Sequence, residues 1–335
     1  MSLPLLDVEG LTVDYPLPRG RTRRAVDDVS LSIATRQTVG LVGESGSGKS
    51  SIARAIVGLA PRTAGTITLH GGASAPPARR IQMIFQDPYS SLDPTKTVGY
   101  SVSEPLRVHR SPELTRAVIR QRTADMLESV GIPASAASRH PSRFSGGQRQ
   151  RIAIARALIL KPDLVICDEA LSALDLSVQA QIINLLTRFR DRDGVSYLFI
   201  SHDLSVVEML CDEVVVLYRG RVAETGPARR LREAPLHPYT RGLVAAIPRV
   251  DPGARAKARE RRELLRTPVV PAPALDDSCA YRHRCVFAAE RCAAERPALR
   301  AASEGARVAC HRAEDVAAQL DGGAGAPAAI PTGGR

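Results

Sequence analysis

The chain predicts an α/β fold, with a core of buried strands and helices joined to an antiparallel β lobe and a helical insertion. Three observations carry this. A short apolar run at 37–43 opens into a glycine-rich loop and then a helix-like segment at 50–59. Two further apolar runs, 164–168 and 196–200, have the continuous hydrophobicity of strands buried on both faces. The first 35 residues alternate apolar and polar instead: Leu6, Val8, Leu11 and Val13, then Val26, Val29, Leu31 and Ile33. That period reads as half-buried antiparallel strands separated by a polar loop at 16–24.

The remaining elements follow in chain order. Residues 88–143 are polar and punctuated by proline, with a helix-like segment at 113–130, and read as a mostly helical insertion. A helix at 147–160 places Ile152, Ala155, Leu158 and Ile159 on one face, and 177–190 is a second helix. Residues 213–226 read as a hairpin turning at Gly220. Residues 249–275, rich in Arg, Pro and Ala, are expected to be a linker. Residues 276–312 hold four of the six cysteines, and 313–335 are Ala- and Gly-rich and expected to be disordered.

Composition narrows the function classes. With 335 residues and 44% hydrophobic content the chain can build more than one core, and with no Trp and 4% aromatics that core must be aliphatic. The net charge of +11 suits a nucleotide, a nucleic acid or an anionic membrane surface, and equally a coding bias toward arginine. The N-terminus lacks a signal pattern and no stretch is apolar enough to cross a membrane, so a cytosolic protein reaching membranes through partners is expected. Cysteines there are thiols or metal ligands rather than disulfides, and Cys167 and Cys211, in apolar surroundings, are expected in the core.

The chemistry is concentrated in a few segments. Gly43-Glu44-Ser45-Gly46-Ser47-Gly48-Lys49-Ser50 fits a phosphate-binding loop. Glycines let the backbone curl until its N–H groups face a phosphate, and the following helix adds its positive end. Lys49 supplies a point charge to the β- and γ-phosphates, and the Ser50 hydroxyl can ligate Mg²⁺. The strand 164–168 ends in Asp168, placed near that magnesium, and Glu169 follows where it can polarise a water. Ser145-Gly146-Gly147-Gln148 precedes a helix and forms a second anion grip. One nucleotide needs one phosphate loop, so a second grip points to a site completed by another subunit.

Over roughly 5–245 the chain resembles an ABC ATPase, a P-loop NTPase with a RecA-like core, an antiparallel β lobe and a helical lobe. The phosphate loop, a glutamine loop at Gln86, the signature from Phe144, the acidic strand, Ser172-Ala173-Leu174-Asp175 and His202 stand in the family's order. The resemblance implies ATP and Mg²⁺ as ligands, with Mg²⁺ on Ser50, Gln86 and Asp168. It implies Glu169 and His202 as catalytic, and Tyr15 stacked on adenine beside a phosphate site that runs to Ser51. A core tyrosine is the rival reading for Tyr15. Ser145, Gly146, Gly147 and Gln148 would hold the ATP of an opposite protomer, and Asp175 would line the dimer seam. Phe144 stands where the wider family has leucine; both are apolar, so the grip survives. The nucleotide-binding domain is thus expected over 1–248, with its helical subdomain at about 88–158.

The segments Gln86-Asp87-Pro88-Tyr89-Ser90-Ser91-Leu92-Asp93-Pro94, Leu174-Asp175-Leu176-Ser177-Val178-Gln179 and His237-Pro238-Tyr239-Thr240 resemble the ATP-binding subunits of dipeptide, oligopeptide and nickel importers. Cys279, Cys285, Cys292 and Cys310 resemble the C-terminal extension of that group. Thiolates suit a [4Fe–4S] cluster or zinc, and free thiols in a small helical tail remain an alternative. The resemblance implies two membrane permeases, a related ATPase forming a heterodimer and an extracellular solute-binding protein, at the cytoplasmic face of the bacterial inner membrane. Import of peptides is the expected role, with nickel or another small solute as the variant. A soluble ABC ATPase acting on nucleic acid is the rival; neither a second cassette nor a long coiled-coil insertion accompanies it, so no nucleic-acid partner is expected.

Overall fold

The computed structural model describes residues 4–72, 75–87, 91–109, 112–172, 174–247, 263 and 277–321. Apart from Glu263, the expected linker at 249–275 lies outside these residues, as do 88–90 of the glutamine loop, Ala173 and the chain end beyond 321.

Two sheets divide the work. Strands β1 (Pro4–Pro16), β2 (Thr22–Ala34) and β4 (Ala64–Leu69) form an antiparallel sheet in the order β2-β1-β4. The polar loop expected at 16–24 is shorter than that, because both strands pair out to Pro16 and Thr22. The larger sheet runs β10-β11-β9-β8-β3-β7-β6-β5. It contains β3 (Thr38–Val42), β5 (Ile81–Ile84), β6 (Leu164–Asp168), β7 (Ser196–Ser201), β8 (Glu213–Tyr218), β9 (Arg221–Pro227), β10 (Arg300–Ala301) and β11 (Arg307–Val308). Pairing is parallel from β8 through β3, β7 and β6 to β5, and antiparallel in the hairpin β8–β9 and outward from it. The apolar runs β3, β6 and β7 are buried along almost their whole length because both sheet faces are covered.

Those faces belong to different cores. One gathers the β lobe, Leu41, Ile166, Leu198 and the helix α1 (Lys49–Ile56). The other gathers Cys167, Tyr197 and Phe199 with the helical lobe. That lobe is built from α3 (Val98–Val108), α4 (Arg116–Ser129) and α5 (Gly146–Leu158), following the short α2 (Pro77–Arg80). Cys167 and Cys211 are buried core residues, as their apolar neighbours in sequence indicate. Further along come α6 (Leu176–Asp193), α7 (Leu204–Leu210), α8 (Ala228–Glu233) and α9 (Pro238–Ala246).

The C-terminal region joins the main body. Its strand β11 pairs with β9 and so extends the main sheet. Asp27 of β2 ties it down from the other side. Arg221 binds the Asp27 carboxylate at 2.6 Å and the Ser278 carbonyl at 3.0 Å, and Arg296 reaches both Asp27 and Asp28 at 3.5 Å. Burial would raise the Asp27 carboxyl, but the surrounding Arg221, Arg296 and Arg24 hold it below the ordinary carboxylate range. The tail corrects one expectation: after α10 (Glu290–Ala294), residues Ala313–Asp321 form a helix, α11, rather than the expected disorder. Ala313 and Val316 are fully buried, and Val316 packs on Phe287, which offsets the entropy an Ala-rich segment loses on ordering.

His237 caps α9, its Nδ1 accepting from the Tyr239 N–H at 3.0 Å while Glu224 accepts from its backbone N–H. Burial lowers the imidazole pKa from 6.5 to about 4. The unfolded chain therefore binds more protons between those values. His237 should weaken the fold progressively as pH falls from about 6.5 towards 4, by up to ~3 kcal/mol, and not at all above that window. Thermal melts in that range should show a smaller loss of Tm for His237→Asn, whose amide oxygen keeps the cap, than for the parent. Equal losses would refute the assignment.

Candidate functional site

The parallel register brings the ends of β3, β5, β6 and β7 to one edge of the sheet. Val42 is opposite Ser201, and Asp168 is opposite Ile200. The segments leaving those ends carry the phosphate loop, Gln86, Asp168 with Glu169, and His202. Open α/β sheets bind ligands at this edge.

The loop leaves β3 at Val42 and enters α1 at Lys49. A Cβ on Gly43 would stand 2.2 Å from the Leu217 carbonyl oxygen. One on Gly48, at φ +104°, would stand 2.5 Å from the Ala25 carbonyl oxygen. Only glycine lets the chain curl this close to β8 and β2. Ser45 and Gly46 are exposed at the tip, while the Ser47 hydroxyl is buried without a hydrogen-bond partner among the described residues. Lys49 is 4% exposed, and its Nζ donates to the carbonyls of Gly43 at 2.7 Å and Glu44 at 2.9 Å. Burial lowers its pKa, opposed by the carboxylates of Glu169, Asp168 and Glu44.

Ser50 Oγ donates to Asp168 Oδ1 at 3.0 Å, joining the loop to β6. The Asp168 carboxyl is pushed up, first by burial and also by Glu169, against the lowering effect of the Ser50 bond. Glu169 has φ +47°, a conformation costing a non-glycine residue ~1–3 kcal/mol and concentrated at functional sites. Its backbone N–H donates to the Ile200 carbonyl at 3.1 Å. Gln86 Nε2 donates to its Oε2 at 3.0 Å, and His202 Nδ1 lies 3.6 Å from the same oxygen. Tyr15 is half-buried against the β-lobe core, and its hydroxyl donates to Ser51 Oγ at 3.3 Å.

The second grip is local. Ser145 and Gln148 form a reciprocal capping box at the start of α5, with Ser145 Oγ accepting at 3.3 Å and Gln148 Oε1 at 3.0 Å. Gly146 and Gly147 open that helix. Asp175 caps α6, accepting from the Val178 N–H at 2.9 Å. Hydrogen bonding to Ser177 and Val178 holds its carboxyl below the usual range.

Sequence reasoning did not place Tyr239 or Arg284 at this site. The Glu44 N–H donates to Tyr239 Oη at 2.8 Å, and Arg284 Nη1 binds the Glu44 carboxylate oxygens at 2.9 and 2.8 Å. Tyr239 stood in a recognisable segment; no local signal marks Arg284, which is 240 residues from its partner.

The four cysteines of the C-terminal region do come together. Cys279, Cys285, Cys292 and Cys310 line one void of about 10 Å³. Burial pushes the Cys285 thiol to about 12 and Cys310 to about 11, and also raises Cys279. The donors match an iron–sulfur ligand set in kind and number, but the void has room for about one water, so a cluster requires the thiols to spread. Among the described residues no group of His, Cys, Asp or Glu is arranged to hold a metal ion. Nor is any helix among them long and apolar enough to cross a membrane.

Comparison with known proteins gives the family. Residues 26–172 match the ABC transporter family, and residues 223–292 match the family described as oligopeptide/dipeptide transporter, C-terminal region. The chain is 45% identical to the "Probable peptide ABC transporter ATP-binding protein y4tS" of Sinorhizobium fredii, covering 99% of this chain and 96% of that protein. It is 47% identical to the "Putative peptide import ATP-binding protein BAB2_1053" of Brucella abortus, covering 86% of each. Among solved structures it superposes on the ATP-binding cassette MJ0796 in a dimeric post-hydrolysis state bound to ADP and phosphate. The TM-score is 0.60 at 27% identity, over 67% of this chain and 99% of that one. It also superposes on cbiO1 of Clostridium perfringens with a TM-score of 0.59 at 26% identity, over 68% and 90%. The chain therefore belongs to the ABC transporter family, among the ATP-binding proteins that carry the oligopeptide/dipeptide transporter C-terminal region.

Proposed function

We propose that this chain binds and hydrolyses ATP to power import of peptides through an ABC transporter. The observation that carries the reading is the convergence of Lys49, Ser50, Gln86, Asp168, Glu169 and His202 at one sheet edge. The names of the relatives support peptide as the solute class.

In this reading the backbone of 43–48 and Lys49 receive the triphosphate, and the tyrosine ring of Tyr15 faces the base. Ser50, Asp168 and Gln86 offer hard oxygen donors, which suit Mg²⁺. That ion would neutralise charge on the phosphate oxygens. Glu169 orients a water and takes its proton as the water oxygen bonds the γ-phosphorus and the β–γ bridging bond breaks. Gln86 donates to Glu169 Oε2 and His202 Nδ1 lies 3.6 Å from the same oxygen, contacts that orient the carboxylate. Asp168 accepts from Ser50 and acts as a fixed charge.

A dimer completes the site. Ser145, Gly146, Gly147 and Gln148 of one protomer grip the ATP held by the other, with Asp175 at the seam. Leu176, next to Asp175, is 82% exposed, an apolar surface that a partner would cover. The partner is a related ATPase, both subunits lie against two permeases at the cytoplasmic face of the inner membrane, and an extracellular binding protein selects the solute. Tagged Glu169→Gln protein trapped with ATP in native membranes should bring down two multi-span permeases and a sister ATPase. Recovery of nucleic-acid factors alone would overturn the transport role.

Purified Glu169→Gln should bind ATP with an affinity close to the parent's but turn it over at least ~100-fold more slowly, in a phosphate-release assay. Near-parental turnover would remove Glu169 from catalysis.

For the cysteines we propose the [4Fe–4S] reading on the donor set alone, four thiols that border one void and would have to spread to admit a cluster. Anaerobically purified protein should contain iron and acid-labile sulfide in equal amounts. A colourless, folded, iron-free protein would sink it.

A further inference from the structure

We propose that Arg284, contributed by the C-terminal region, is a positioning residue of the nucleotide site. It neutralises Glu44 within the phosphate loop and, with Tyr239, holds that loop in its anion-receiving curl. The inference rests on reading 43–51 as the ATP site.

An acid inside a loop that must receive a polyphosphate is an electrostatic liability. Glu44 stands in the loop beside Lys49, whose Nζ donates to the Glu44 carbonyl at 2.9 Å, so its carboxylate brings negative charge next to where phosphate would sit. Arg284 Nη1 lies 2.9 and 2.8 Å from the two oxygens of that carboxylate. The contacts do more than cancel charge. The Glu44 N–H donates to Tyr239 Oη, and its carbonyl accepts from Lys49. Side chain, N–H and carbonyl of one loop residue are thus each held, by three separate parts of the chain.

Arg284 is itself held in place. Its guanidinium lies 6.0 Å from the centre of the Tyr281 ring and hydrogen-bonds Tyr218. Tyr218 packs edge-on against Tyr239 at 4.7 Å and Tyr281 at 5.0 Å. Two of the anchors of Glu44, Arg284 and Tyr239, therefore stand on one aromatic cluster that joins the end of β8, α9 and the cysteine-bearing region. A surface ion pair of ordinary kind contributes little to stability, and with side-chain exposures of 24% and 44% this one is no exception. Its effect lies in ligand binding, where an uncompensated Glu44 would repel the incoming phosphates.

The test uses the full chain. ATP binding and steady-state hydrolysis are measured at low and high salt for the parent, Arg284→Gln, Arg284→Lys, Glu44→Gln and the double variant. Arg284→Gln should raise KM for ATP about fivefold with kcat changed less than about twofold, and Arg284→Lys should recover most of the loss. The rise in KM should shrink at high salt. It should vanish when Arg284→Gln is added to Glu44→Gln, because Arg284 acts through that carboxylate. An unchanged KM, or a rise that persists in the Glu44→Gln background or at high salt, would overturn the inference. If Arg284→Gln does not fold, Glu44→Gln decides: a KM no higher than the parent's supports the proposal, and a higher one overturns it. Parent protein that fails to bind ATP, or Lys49→Ala that binds it as well as the parent, would instead overturn the reading of the site itself.

Discussion

Lys49 carries a charge into a place that solvent barely reaches, and much of the molecule is arranged around making that tolerable. A buried ammonium without partners would lose its proton. Here two loop carbonyls accept its hydrogen bonds, and the carboxylates of Asp168 and Glu169 oppose the pull of burial. The carbonyls face inward only because Gly43 and Gly48 let the backbone pass close to β8 and β2. The carboxylates are within reach only because β6 lies one strand beyond β7 from β3, in parallel register. Sheet order, glycine placement and buried charge are a single constraint.

The same economy governs Glu169. Its backbone is held in a conformation that costs energy, by a hydrogen bond to the neighbouring strand, and its side chain is approached by Gln86 and His202. Those two residues leave the ends of β5 and β7, on either side of β6. Any movement of the segments that follow these strands therefore reaches the carboxylate directly.

The C-terminal region enters the same web from the opposite side. It adds two strands to the main sheet, is tied to β2 through the Asp27 cluster, and touches the phosphate loop through Arg284. Cys285 follows Arg284 in the chain and lines the thiol-bordered void. A region that looks appended in sequence is physically part of the nucleotide-binding body.

Much of the fold and most of the candidate site could be read from local signals. Runs such as 164–168 mark themselves by unbroken hydrophobicity, the β lobe by alternation, and the phosphate loop by its glycines followed by Lys49 and Ser50. Each of those features is a property of a few consecutive residues, and local backbone geometry suffices to express it. The two-residue strands β10 and β11 are too short to show any period, and α11 exists because Ala313 and Val316 find burial that an Ala-rich segment cannot provide for itself. Arg284 and Glu44 lie 240 residues apart, and nothing near either residue names the other. Sequence alone therefore determined the fold class, the loop and the candidate residues that the sheet edge gathers, since these follow from local pattern. Only the tertiary structure decided how the C-terminal region docks, what it touches and where its cysteines meet, since long-range pairing depends on where a twisted sheet brings distant segments together.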